Sequence, residues 1–197
     1  MAVAFEAQNV DSTLLANRYR LGTWVTMAGI AMLFTSLSSA YIVRAASAND
    51  WFPLAMPRVL LLSTALIVIS SGTLEIARRR MKQSTSRAYL QLLGVTALLG
   101  LGFLASQVVA WRQLARQGVY LASSPHSSFF YLLTAAHGLH LLAGLLALFY
   151  LLLRARRRVT EPLAIVRTQA VADAVTMYWH FMDALWIYLF LLLFLWR

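Results

Sequence analysis

Between Val175 and Trp196 the polar groups Tyr178, Trp179, His180 and Asp183 stand in a stretch dominated by Phe, Leu, Met, Ala, Ile, Val and Trp. That stretch is long enough to cross a bilayer. An ionisable side chain at membrane depth costs a few kcal/mol on insertion scales, so it calls for a partner or a job. Candidate partners lie one hydrophobic segment earlier, where His137 and His140 sit in an equally apolar run. Each pair is spaced i, i+3, which puts both members on one helical face. Four such side chains suggest two chemistries. Imidazole and carboxylate are suitable ligands for iron or zinc, which would make the chain a free-standing membrane metalloenzyme. The alternative is a hydrogen-bonded and ionic network that docks the last two helices, completed by Tyr178 or Thr134. The network is favoured, because an i, i+3 His pair is a weak metal signal and no third segment offers an obvious extra ligand.

Other polar residues in apolar runs read as structural. Glu75 lies about one turn from Arg78, Arg79 and Arg80, and an interfacial ion pair fixing helix depth suits it better than a proton-carrying role. Gln107, near the end of its run, would bond a neighbouring helix or a lipid ester. Trp111 and Phe129 suit the head-group level, with Trp24, Trp51, Tyr120 and Trp196 as further anchors. Small residues such as Ser70, Ser71, Gly72, Gly94, Gly100, Gly102, Gly138 and Gly144 would let helices approach closely.

The elements that must position these groups follow from composition. With 60% hydrophobic and 12% charged residues in 197, the chain has too few polar side chains to coat a soluble globule. A span needs about 20 apolar residues, and five windows qualify: Leu21–Val43, Met56–Ile76, Leu90–Trp111, Phe129–Leu153 and Ala172–Trp196. Hydrocarbon leaves backbone groups no outside partners, so the windows are helices or strands of a closed barrel. Their length and lack of alternation exclude the barrel. The expected fold is all-α, an integral membrane bundle of five transmembrane helices over residues 21–197. A polar N-terminal segment, residues 1–20, carries Glu6 and Asp11 and reads as retained rather than as a cleavable signal.

Charge placement predicts orientation. Arg78, Arg79, Arg80, Lys82 and Arg87 crowd the second connector, and Arg154, Arg156, Arg157, Arg158 and Arg167 crowd the fourth. Both should face the cytoplasm. The N-terminus, with Arg18 and Arg20, is then cytoplasmic and the C-terminus periplasmic. The outer side holds Arg44, Arg58, Arg112, Arg116 and Arg197. The long outer connector Arg112–Ser127, with Gly118, Pro125 and His126, reads as irregular. The net charge of +10 is therefore mostly topology and contact with anionic lipid head groups. Short basic flanks without a recognition module disfavour nucleic acid as a partner. The absence of cysteine removes disulfides and thiolate chemistry, and no phosphate-binding loop, dinucleotide fingerprint or nucleophile elbow occurs. A transporter is disfavoured by the lack of an inverted repeat.

These residues carry a resemblance. Tyr178-Trp179-His180-Phe181, Asp183 and Trp186 resemble the Tyr-Trp-His-Phe-x-Asp-x-x-Trp signature of subunit III of the haem-copper oxidases, shared by cytochrome c and quinol oxidases, in its five-helix bacterial form. Leu133-Thr134, His137-Gly138-Leu139-His140 and Gly144 resemble the family's second His motif. Leu99-Gly100, Phe103, Gln107 and Trp111, then Thr64, Ser70-Ser71 and Thr73, follow in the family's order, so the resemblance covers about residues 20 to 197. Departures are the first-helix carboxylate, replaced by Ile30, the acidic residue before the third-span Trp, here Ala110, and an Asn before Thr64, here Ser63. Properties tied to that first-helix carboxylate do not transfer. The resemblance implies a non-catalytic subunit of a proton-translocating terminal oxidase in the bacterial inner membrane. It would bind no haem, copper or other metal itself, those belonging to partner subunits I and II. It also implies bound phospholipid, in a cleft opened where helices one and two splay from helices three to five. The alternative within the family is an accessory subunit of a nitric oxide reductase.

Overall fold

The computed structural model describes residues 2–47, 56–82, 86–156 and 162–195, with side chains described over 13–47, 56–81, 87–156 and 164–195. Five helices account for nearly all of these: α1 (Ala2–Ser47), α2 (Val59–Lys82), α3 (Ser86–Arg116), α4 (Pro125–Ala155) and α5 (Pro162–Leu195). All five are long and apolar enough to cross a membrane. Trp51, Trp196, Arg157, Arg158 and Arg197 lie outside the described residues, as do the side chains of Glu6, Asp11 and Lys82.

The helices overrun the apolar windows, and the reasons are local. Residues 2–20 hold neither Gly nor Pro, so nothing interrupts the helix that becomes the first span. At α2 the window starts too early. Met56 precedes Pro57 and is disfavoured in helical geometry, and the helix begins at Val59 after a turn in which Leu60 N–H bonds Pro57 O at 3.1 Å.

The connector expected to be irregular over Arg112–Ser127 is helical at both ends. α3 continues to Arg116 and closes in a Schellman motif: Gly118 takes φ 78°, its N–H bonds Ala115 O and Val119 N–H bonds Leu114 O, both at 3.0 Å. Only a residue without Cβ adopts that left-handed turn at no steric cost. α4 opens on Ser124, whose side chain accepts from Ser127 N–H while Ser127 returns the bond to Ser124 N–H, with Pro125 in the first turn. This is a capping box supported by the residue whose missing N–H costs nothing there.

α2 and α3 make the most extensive interface, an antiparallel hairpin. α5 is the centre of the bundle, packed on α1, α2 and α4. The expected splay of the first two helices from the other three is not found. α1 and α2 do not pack on each other among the described residues; α2 lies on α3 and α5, and α1 on α5 and α4. Among the described residues α5 lies between α1 and α2, with Trp179 and Trp186 reaching α2.

Close approach rests on small residues at particular places. A Cβ on Gly100 would stand 2.8 Å from the Trp179 ring, and one on Gly144 would stand 3.0 Å from Tyr178. Trp179 is fully buried and cannot swing away. Gly100→Ala is therefore expected to destabilise the bundle by about 1–3 kcal/mol, whereas Gly72→Ala, with open space around it, is expected to be neutral or stabilising by up to about 1 kcal/mol. Thermal unfolding in mild detergent checks both.

Candidate functional site: polar seams between apolar helices

Two hydroxyl-bearing faces of α2 organise the interior. Toward α3, Ser63 Oγ meets Ser106 Oγ at 2.7 Å and Thr73 Oγ1 meets Thr96 Oγ1 at 2.8 Å. Toward α5, Trp186 Nε1 donates to Thr64 Oγ1 and Trp179 Nε1 to Ser70 Oγ, both at 3.0 Å. Trp179 and Trp186 are two turns apart on α5, and their acceptors are nearly two turns apart on α2, running the other way. Thr64 and Ser70 also donate to carbonyls of their own helix, which turns their lone pairs toward the indole N–H groups; in the Ser63–Ser106 and Thr73–Thr96 pairs one hydroxyl must donate to the other. Sequence reading took Ser70 and Ser71 as packing residues only. The signal available was the matched two-turn spacing of hydroxyls on one segment and tryptophans on another.

The four ionisable candidates separate into different surroundings. His137 is fully buried, and neither ring nitrogen has a hydrogen-bond partner among the described residues. Its ring is enclosed by Trp186 at 5.1 Å, Phe103 at 5.7 Å and Phe34 at 6.5 Å between centroids. His140 turns its Nδ1 to Ala136 O of its own helix at 2.7 Å and rests against Phe34. His180 faces α2, where its Nδ1 pairs with Ser71 Oγ and its Nε2 lies 3.9 Å from Glu75 Oε2. Asp183 is buried at 4% exposure, and neither carboxyl oxygen is hydrogen-bonded among the described residues.

Among the described residues, the hydrogen bonding of these groups between the last two helices is Tyr178 O–H donating to His140 O at 2.8 Å. An i, i+3 pair shares a face only loosely, some 60° apart around the axis, which lets His137 enter the core while His140 does not. Thr134 does not join the His residues; it accepts from Trp111 Nε1 at 3.1 Å. Among the described residues no group of three or more His, Asp or Glu is placed to hold a metal ion.

The remaining candidates fall as follows. Glu75 accepts from Arg78 at 2.9 and 3.0 Å and from Arg79 at 2.9 Å, and Arg78 reaches on to Asp173 of α5 at 3.4 Å. That ion-pair cluster joins the arginine-rich ends of α2 and α5. Gln107 is buried at 3% exposure, and neither of its amide atoms has a hydrogen-bond partner among the described residues; it lies one turn from Phe103 on the same face of α3. Trp111 ties α3 to α4 rather than standing free, while Trp24 and Tyr120 are exposed. Tyr41 and His126, not singled out as a pair in the sequence, meet at 3.2 Å in a buried contact between α1 and α4.

Together these features define a polytopic α-helical membrane protein whose interior polar groups join helices to one another. The sequence profile described as "Cytochrome c oxidase subunit III" matches residues 8–197. A "Probable cytochrome c oxidase subunit 3" of Nocardia farcinica is 33% identical over 188 residues, covering 93% of this chain and 90% of the relative. The "Cytochrome c oxidase subunit 3" of Bacillus subtilis is 30% identical, covering 98% and 94%. The "Quinol oxidase subunit 3" of the same species is 27% identical, covering 86% and 83%. The chain belongs to the cytochrome c oxidase subunit III family.

Removing Ser70 Oγ would leave the Trp179 indole N–H unpaired in a fully buried position. Ser70→Ala is expected to cost about 1–3 kcal/mol, with denaturant titration in detergent as the measurement. Ser36→Ala, at an exposed hydroxyl bonded only to its own helix, is the control expected to stay within about 0.5 kcal/mol.

Proposed function

We propose that this chain is subunit III of a haem-copper terminal oxidase, packed against subunit I, with subunit II in the same complex. Its role is to support assembly, retain lipid and sustain proton-coupled oxygen reduction, while haem and copper reside in the partner subunits. The observation that carries this reading is the family match over nearly the whole chain. The motif residues support it by their use: Trp179, Tyr178 and Trp186 bond neighbouring helices and His137 is enclosed by aromatic rings, a packing arrangement rather than an open ligand site. In this reading the arginine-rich ends of α2, α4 and α5 face the cytoplasm.

Lipid retention has a candidate place. A groove of about 450 Å³ runs between α1, α4 and α5, with Gly22, Ala143, Gly144 and Ala174 along it and Arg18 and Tyr19 at its end. Apolar walls of small residues suit an acyl chain, and the arginine suits an anionic head group.

Purifying the tagged chain from its native membrane in mild detergent tests the reading. The expected result is a copurifying haem-copper subunit I with oxidase activity. A nitric oxide reductase partner would move the chain to that complex, and an isolated chain carrying stoichiometric iron or zinc would overturn the subunit assignment. His180→Ala or Asp183→Ala is expected to lower recovery of the assembled complex while leaving its haem spectrum unchanged. Loss of the haem spectrum from a fully assembled variant would contradict the docking role.

A further inference from the structure

Gln107 and His137 are buried, and neither amide atom of the one nor ring nitrogen of the other has a hydrogen-bond partner among the described residues. The packing of α3 on α4 brings the two side chains to one height. Trp111 of α3 bonds Thr134 of α4 at 3.1 Å, and Phe103 of α3 meets the His137 ring at 5.7 Å between centroids. Gln107 stands one turn from each of these α3 residues on the same face, so it falls between Thr134 and His137. The other polar groups of the region are already paired. Trp186, Phe103 and Phe34 surround the imidazole, and the indole N–H of Trp186 is given to Thr64. Ser106, next to Gln107, pairs with Ser63, and Thr134 donates to Phe130 O while accepting from Trp111.

We propose that Gln107 and His137 form a binding site for one water molecule, held between α3 and α4. A neutral imidazole has one N–H donor and one acceptor nitrogen, and an amide has two donors and a carbonyl acceptor. Water both donates and accepts, so it joins a ring nitrogen to an amide atom whichever tautomer the imidazole takes. Buried waters make about three hydrogen bonds to otherwise unpaired groups, and the remaining lone pair of Thr134 Oγ1 offers a third. Room comes from the fill of the interface. Trp111 and Phe103 hold the helices apart with an aromatic ring on either side of Gln107, and the amide side chain is smaller than either ring. The bridge gives α3 and α4 a polar tie one turn along from the Trp111–Thr134 bond, and it supplies the imidazole with the partner that its aromatic enclosure lacks.

The site is a property of this chain whichever complex it serves, so its test needs only the full chain in lipid bilayers, with water itself as the probe. Solid-state NMR of isotope-labelled histidine and glutamine reads magnetisation transfer from water protons to ring nitrogens. The chain holds four histidines, and His137→Phe, or single substitution of the other three, identifies the His137 signal. Transfer from water to the His137 ring is expected in the wild type, and its loss in Gln107→Leu, which removes the amide and puts methyl groups in its place. Should Gln107→Leu fail to fold, Gln107→Met, closer in shape, replaces it. A His137 ring that receives nothing from water would overturn the proposal, and transfer from the Gln107 amide protons alone would show a direct bond in its place. Water transfer undiminished by loss of the amide would overturn it as well.

Discussion

Hydrocarbon cannot hydrogen-bond, so a polar group carried into the membrane is favoured where another element of the bundle can pair with it. The hydroxyls of α2 answer that constraint in two directions. Ser63 and Thr73 pair with Ser106 and Thr96 of α3, while Thr64 and Ser70 accept the indole protons of Trp186 and Trp179. Such bonds are individually modest in membranes, averaging about 0.6 kcal/mol. Their effect here is register. Trp179 can reach Ser70 only when α5 lies at one height against α2, and at that height its ring fills the space left by Gly100. Packing and hydrogen bonding thus select the same arrangement.

From that register follows the position of the ionisable groups. Fixing Trp186 against Thr64 and Phe103 places His137 in an aromatic enclosure, and fixing Trp179 places His180 against Ser71 and Asp183 in the buried interior. The charged cluster of Glu75, Arg78, Arg79 and Asp173 then closes the arginine-rich end of the same α2–α5 seam. A polar seam of this kind joins helices where apolar surfaces alone, equally content against lipid, would supply little specificity. It also leaves the Asp183 carboxyl buried in the interior, without a hydrogen-bond partner among the described residues.

The family relationship and the physics agree on where function resides. The groups that looked able to bind a metal are dispersed by the fold, and the residues of the family's two motifs are used mainly to bind one helix to another. Under the proposed role, a well-specified bundle that packs against its partners is itself the functional product.

Much of this was legible in the residues. Apolar length and low charge determined five membrane helices, and Glu75 with Arg78 and Arg79 stood within a helical turn of one another, whereas Gly118 and Ser124-Pro125 carried boundary signals that reading Arg112–Ser127 as irregular passed over. These are local facts, governed by hydropathy, backbone geometry and spacing of three or four. The sequence could not decide which helices touch. Apolar faces are interchangeable in lipid, so nothing local indicated that α1 would lie on α4 and α5 while α2 lay on α3 and α5. Nor could spacing separate His137 from His140, since residues three apart differ by some 60° around the helix axis, enough for one to enter the core and the other to turn to its own backbone. The surroundings of Gln107, His137 and Asp183 depend on relative helix height and rotation, which only the packed bundle sets.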